Sequence, residues 1–170
     1  YGFISTYIPF WPKPKRIISP FIGGGSLEVR WANELDIEVI GYDVFDMLVN
    51  FWEVLLSQPQ ELSKELSKIT PDDNTYKEIK EILMSLDKTQ DMLSDWKTDS
   101  YKREDVISLS DLERASLYYF NHNTSYGPGY LGWGSSVYLQ ADKWKQMCKN
   151  INNFKCGNLS VKQADYRDVI

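Results

Sequence analysis

Three consecutive glycines, Gly23-Gly24-Gly25, follow a branched apolar run at Arg16–Phe21 and precede a stretch with helical spacing, Ser26–Asn33. A side-chain-free turn between a strand and a helix lets a ligand come against the backbone. The amides of the turn and of the helix start then offer donors and partial positive charge. Asp43 stands 18 positions after Gly25, at the end of a second apolar segment. That is close to the spacing of about 20 at which an acid accepts hydrogen bonds from a ribose hydroxyl pair. Three glycines alone are equally well a loop; with the acid in place, the pair points to a ligand with an adenosyl group. The commoner phosphate patterns fit poorly. Glu28 falls where the dinucleotide fingerprint has its third glycine, and no Lys-Ser or Lys-Thr follows the glycines, which excludes a P-loop.

The elements that must position these residues alternate at first. Arg16–Phe21 reads as a buried strand, Ser26–Asn33 as a helix and Glu38–Tyr42 as a second strand; Asp46–Ser57 is a strongly apolar helix ended by Gln58-Pro59. Strand, helix, strand, helix with short links predicts an α/β fold with a parallel sheet. The alternation then stops. Thr70-Pro71-Asp72-Asp73 reads as a helix start, with a capping Thr and Pro at the first helical position. Ile79, Ile82, Leu83 and Leu86 continue it at helical spacing. Ser110-Asp111-Leu112-Glu113 is a capping box that opens a helix to about Asn121. The segment from Asn121 to Ser136 is rich in Gly, Asn and Tyr, and a strand pattern resumes at Leu159–Gln163. The expected organisation is an α/β part at 1–59, a mostly helical insertion at 60–155, and a return to the α/β part at 156–170.

Length and composition set the limits. With 170 residues, 14% of them aromatic including six Trp and eleven Tyr, the chain can bury a core and is no disordered segment. No apolar run approaches the roughly 18 residues of a membrane span, and no signal-peptide pattern opens the chain. Cys148 and Cys156 lack metal-ligand company, so no metal is expected, and they read as reduced intracellular thiols. The net charge of −5 excludes a uniformly basic nucleic-acid coat. The sign is uneven, however. Lys145, Lys149, Lys155, Lys162 and Arg167 crowd the last part of the chain, and Lys13, Lys15 and Arg16 form a second basic cluster. Local patches of this kind are compatible with a DNA partner.

Other residues carry two readings each. Tyr118, Tyr119 and Phe120 read as core. Tyr126, Tyr130 and Trp133 sit among glycines, where they either stack on bases or pin their own loop. Asn121 and Asn123 either read base edges or serve a turn. His122, the one histidine, reads as an exposed loop residue with no catalytic partner. Asp72-Asp73 reads as a helix start rather than a metal site.

Four separated segments carry a resemblance: "SPFIGGGSLEVRW", "VIGYDVFDMLVNFWEVLLSQP", "RASLYYFNHNTSYG" and "VKQADYRDVI". In this order, across nearly the whole chain, they resemble the Dam-like (D12) class of adenine-N6 DNA methyltransferases. The resemblance implies a Rossmann-like parallel sheet and S-adenosylmethionine as cofactor. Pro20, Phe21, Ile22, Gly23, Gly24, Gly25 and Ser26 match the loop that holds the methionine end of the cofactor. Asp43, followed by Val44, matches the ribose-binding acid, and Asp165, followed by Tyr166, the acid near the adenine amino group. Arg114 to Tyr126 resembles part of the target-recognition region, and Lys145 and Lys149 would meet phosphates.

The departures matter as much. The family places an Asp-Pro-Pro-Tyr motif on the next strand, where it engages the flipped adenine. No such motif, and no Asn-Pro-Pro-Tyr, occurs in this chain. The Lys-bearing motif that opens family members is also missing, since the chain starts at Tyr1-Gly2-Phe3. The expectation is therefore a fragment, inactive alone, of a cytoplasmic prokaryotic or phage enzyme, with the catalytic motif on a further segment or chain. The substrate would be double-stranded DNA with a flipped adenine. The alternatives are a non-catalytic adenosyl-ligand or DNA-binding module, for example half of a split enzyme, and a nucleotide-dependent oxidoreductase or synthetase-like α/β protein.

Overall fold

The structure, a computed structural model, describes residues 8–9, 11–86, 109–127 and 129–169. The expected opening-motif position at residues 1–3, and residues 87–108 of the expected insertion, lie outside them. The chain divides into two compact units: one runs through Pro59 and resumes at Asn153, the other is Gln60–Asn152.

The first unit is α/β. Strand β1 is Arg16–Ser19, helix α1 Glu28–Glu34, strand β2 Glu38–Asp43, helix α2 Asp46–Ser57, and strand β3 Leu159–Gln163. The strands form one parallel sheet in the order β1-β2-β3. Ser19 lies opposite Gly41, and Gly41 opposite Val161. This is a Rossmann-like arrangement, with both outer strands paired to a central β2. Val39 and Ile40 of β2 are buried, and α1 and α2 pack on the sheet with Trp31, Ala32, Met47, Val49, Phe51 and Leu55 in the core.

Two sequence expectations change here. β1 was expected as a buried strand reaching Phe21, but it ends at Ser19 and alternates in exposure, with Ile18 48% exposed. The reason is its place: among the described residues it pairs on one side alone, and Pro20 has no N–H to continue the ladder. α1 starts at Glu28 rather than Ser26, and its N-cap Leu27 makes no side-chain cap.

The second unit holds helices. Helix α3 spans Pro59–Ser67, α4 Asp73–Leu86, α5 Asp111–Thr124 and α6 Ala141–Asn152. Pro59, read as a stop for α2, is also the first residue of α3, a position Pro tolerates because its missing N–H has no partner there. The core gathers Leu62, Leu66, Tyr76, Ile79, Leu83, Tyr118, Phe120 and Trp144. The Trp144 ring meets Phe120 edge-on at 5.0 Å and donates its indole N–H to the Leu66 carbonyl at 3.1 Å. Burial pushes the Tyr119 hydroxyl up to about 12. Tyr118 and Phe120 are core, as expected.

Both helix starts read from the sequence exist, one with a different cap. At α4 the capping oxygen belongs to Asp72, which accepts from the Thr75 amide at 2.8 Å, not to Thr70. This bond holds the Asp72 carboxyl below its usual range. At α5 the capping box is complete: Ser110 Oγ accepts from the Glu113 amide at 3.3 Å, and Glu113 Oε2 accepts from the Ser110 amide at 2.9 Å. Ser110→Ala should therefore lower the stability of the helical unit by about 1 kcal/mol. Urea denaturation checks this, and an unchanged midpoint would mean that the cap does not stabilise the helix. α5 runs three residues past the expected end, to Thr124.

Candidate cofactor and nucleic-acid site

The glycine turn is built from both sides. Ile22 donates its amide to the Tyr42 carbonyl at 2.9 Å, and Gly25 donates to the Ile22 carbonyl at 2.9 Å, so the chain reverses within four residues. Gly23 has φ +45° and Gly25 φ +63°, the left-handed region that favours glycine. A methyl group at Gly25 would lie inside the Trp52 ring surface, 2.6 Å from Cη2. Trp52, on α2, also donates its indole N–H to the Gly23 carbonyl at 3.0 Å. At Gly24 a methyl would meet nothing within 4 Å. Two glycines thus serve conformation and packing, and the middle one faces open space.

Asp43 closes the other side. One carboxylate oxygen accepts from the Gly23 amide at 3.3 Å and the other from the Phe45 amide at 3.1 Å. The acid therefore ties the turn to the end of β2. A carboxylate has about four acceptor positions, so two backbone bonds leave capacity for two further donors such as a pair of hydroxyls.

The carboxyl end of the third strand joins them. Ala164 donates its amide to the Asp43 carbonyl at 3.1 Å, and Gln163 Nε2 donates to the Val44 carbonyl at 3.2 Å. Beyond β3, Asp165 caps a short turn at Tyr166–Asp168 and accepts the Arg167 guanidinium through both oxygens, at 2.9 and 2.8 Å. The Arg167 side chain, then its backbone amide, holds the Asp165 carboxyl low, at about 2. Arg167→Ala should move it back toward the usual range of about 3.9, with the backbone amide still holding it somewhat low. An NMR titration of the carboxyl checks this; an unmoved midpoint would contradict the pairing.

Three large apolar side chains stand exposed where the three parallel strands end: Phe21 after β1 (67%), Val44 after β2 (67%) and Tyr166 after β3 (47%). The Phe21 and Tyr166 rings lie 5.4 Å apart. Singly, such exposure is ordinary; gathered at the carboxyl ends of a parallel sheet it marks where ligands of open α/β folds sit. The structure thus brings together Phe21, the glycines, Asp43, Val44 and Tyr166. Pro20 is half-buried where β1 ends, Ile22 is buried beneath the turn against Gly41, and Ser26 is exposed. Sequence reasoning missed Trp52, which read as one more apolar residue of a helix; no spacing rule links it to a glycine 27 positions earlier.

In the helical unit the Gly/Asn/Tyr-rich segment is ordered by its own backbone. Ser125 and Gly134 form an antiparallel bridge, with the Ser135 amide donating to the Thr124 carbonyl at 2.9 Å and the Tyr126 amide to the Trp133 carbonyl at 2.6 Å. Tyr126 and Trp133 are therefore cross-strand neighbours, 79% and 85% exposed. Their turn is tethered from below. The Gly129 amide donates to Ser125 Oγ at 2.7 Å, and the Gly132 carbonyl accepts from Tyr76 Oη at 3.2 Å and Lys80 Nζ at 3.0 Å. Leu131 is held at φ +56°. Tyr130 packs on Tyr118, ring centres 5.7 Å apart.

The two asparagines expected at base edges or in a turn lie on α5. Asn121 is 0% exposed within α5, and its Oδ1 accepts from the Leu131 amide at 2.8 Å. From there it supports the loop. Asn123 donates to the Tyr119 carbonyl at 2.9 Å, one helical turn back. His122, expected in an exposed loop, is half-buried in α5 against Tyr118, and burial lowers its pKa. Arg114 is largely covered and lies 3.8 Å from Asp111. Lys145 and Lys149 are exposed on α6, one helical turn apart, while Trp144 and Cys148 point into the core. Both cysteines are free, and burial pushes each thiol up.

Among the described residues no cluster of three or more potential metal ligands occurs, and no helix is long and apolar enough to cross a membrane. A comparison with curated proteins gives no match. The glycine turn, the acid ending β2 and the aromatic loop lie within a single family match: the D12 class N6 adenine-specific DNA methyltransferase model spans residues 2–170. The chain belongs to that family of DNA adenine methyltransferases.

Proposed function

We propose that this chain holds S-adenosylmethionine at the carboxyl end of its sheet and serves the methylation of adenine N6 in duplex DNA. The observation that carries the reading is Asp43, which is fixed by two backbone amides beside the glycine turn and keeps acceptor capacity for a ribose. The cofactor, when bound, supplies an electrophilic sulfonium methyl group. The residues present fit such a molecule. Gly24 leaves open space for its methionine end, with Pro20, Ile22, Gly23, Gly25 and Ser26 shaping the loop. Phe21, Val44 and Tyr166 offer apolar faces to its adenine, and Asp165, kept ionised by Arg167, is the acceptor for the adenine amino group.

The chain contains no Asp-Pro-Pro-Tyr or Asn-Pro-Pro-Tyr, and we assign none of its residues to the transfer step. Its part is positioning, which supplies a large share of the acceleration when the electrophile is already strong. Calorimetry on the full-length protein tests the cofactor assignment. S-adenosylmethionine should bind in preference to NAD; preference for the dinucleotide would overturn the reading in favour of a nucleotide-dependent oxidoreductase.

On the DNA side, Tyr126 and Trp133 are assigned to contact with the opened duplex, with Tyr130 and Asn121 shaping their loop and Lys145 and Lys149 meeting phosphates. Arg114 and Asn123 border this region at α5. The two kinds of contact separate by salt. Lys145→Ala or Lys149→Ala should flatten the salt dependence of DNA affinity by about one unit of slope. Tyr126→Ala and Trp133→Ala should leave that slope alone and reduce base opening, read with a fluorescent adenine analogue at the target. If the aromatic substitutions alter thermal stability alone, these rings are packing and have no part in DNA contact.

A further inference from the structure

Among the described residues, Glu28 is the one charged side chain in the core, 5% exposed. Its Oε1 accepts from Ser19 Oγ at 2.6 Å. No donor among the described residues reaches Oε2, and no described lysine or arginine pairs with the carboxylate. A largely buried carboxylate is best satisfied when it is both paired with a cation and hydrogen-bonded, and here one neutral hydroxyl is its bonded partner. A simple strut between β1 and α1 needs no charge, because a glutamine would accept the same bond without that penalty. A carboxylate at this place suits a cationic partner, and the described residues supply none.

The place of Glu28 narrows what that partner is. Ser19 is the last residue of β1, at the carboxyl end of the sheet, and Glu28 is the first of α1; their bond closes the base of the loop that carries the three glycines. The cofactor assigned to this loop carries two positive groups at its methionine end, a sulfonium and an α-ammonium. A sulfonium has no N–H or O–H to give, whereas the ammonium has three donors. An oxygen lacking a donor is matched by the ammonium. We propose that the Glu28 carboxylate, anchored by Ser19, receives the α-ammonium group of the cofactor. This rests on the cofactor reading above and names the residue that recognises the amino-acid end.

Two ligands with neutral sulfur separate the possibilities: S-adenosylhomocysteine, which keeps the ammonium, and 5′-methylthioadenosine, which lacks the whole amino-acid end. Calorimetry on the full-length protein should find the first bound at least about 10-fold more tightly. In Glu28→Gln that preference should fall by about 10-fold or more, through weaker S-adenosylhomocysteine binding, with 5′-methylthioadenosine affinity unchanged. Ser19→Ala keeps the carboxylate and deletes its neutral donor, so it should keep or widen the preference. Equal affinity for the two ligands in the unmodified protein would overturn the proposal and leave the cofactor reading standing. So would equal weakening of both in Glu28→Gln, which is the behaviour of a strut, or loss of the preference in Ser19→Ala. If neither ligand binds the unmodified protein, the cofactor reading itself fails.

Discussion

Gly25→Ala should destabilise the α/β unit by about 2–4 kcal/mol, whereas Gly24→Ala, one residue away, should change stability by no more than about 0.5 kcal/mol. Two separate penalties meet at Gly25. Its φ of +63° lies where a side chain costs about 1–2 kcal/mol. Its methyl group would also enter the Trp52 ring, 2.6 Å from Cη2, and that ring is buried and held by its own bond to the Gly23 carbonyl. Overpacking of this kind typically costs about 1–3 kcal/mol, because the neighbour cannot yield without moving the core. Gly24 has neither problem. Chemical denaturation of the two variants gives the comparison, and equal losses would mean that Trp52 does not back the turn as described.

Asp43→Ala should weaken S-adenosylmethionine binding by about 1.5–3 kcal/mol, the range for hydrogen bonds to a charged group. The same substitution leaves the Gly23 and Phe45 amides without their acceptor, so some stability is lost as well. Asp43→Asn separates the two effects in part. Its one carbonyl oxygen still serves one of the two amides, while the charge offered to the ribose is gone. Calorimetry for affinity and thermal melting for stability should therefore show Asp43→Asn nearer the unmodified protein in melting than in binding. Unchanged affinity in both variants, with the fold intact, would remove Asp43 from the site.

How far the sequence announced this arrangement follows from the range of each physical cause. The turn, the acid ending β2 and the Ser110–Glu113 box are local: a few residues specify the backbone, and the structure has all three. The alternation of strands and helices, and the resumption at Leu159–Gln163, are carried by apolar periodicity and are likewise present. What stayed hidden depends on contact between distant segments. Trp52 behind Gly25, and Glu28 beneath Ser19, arise because helices pack on the sheet at one register, which no spacing in the chain states. The exposure of β1 follows from its pairing on one side among the described residues, a property of strand order rather than of Ile17 and Ile18 themselves. Asn121 looked like a loop residue because of its polar neighbours, yet α5 runs through it and buries it. The displaced cap at Asp72 is a smaller case: two acceptors lay within reach of the helix start, and local geometry selected the nearer one.

The role proposed for this chain is to position S-adenosylmethionine for methyl transfer to adenine N6 in DNA. The direct measurement incubates the full-length protein with methyl-labelled S-adenosylmethionine and duplex DNA, digests the DNA to nucleosides and asks which nucleoside carries the label. Label should appear in N6-methyl-2′-deoxyadenosine, and at cofactor concentrations below saturation it should fall at least about 10-fold in Asp43→Ala, in line with the weaker cofactor binding. Label in methylated cytosine instead, or label in adenine that survives Asp43→Ala undiminished, would contradict it.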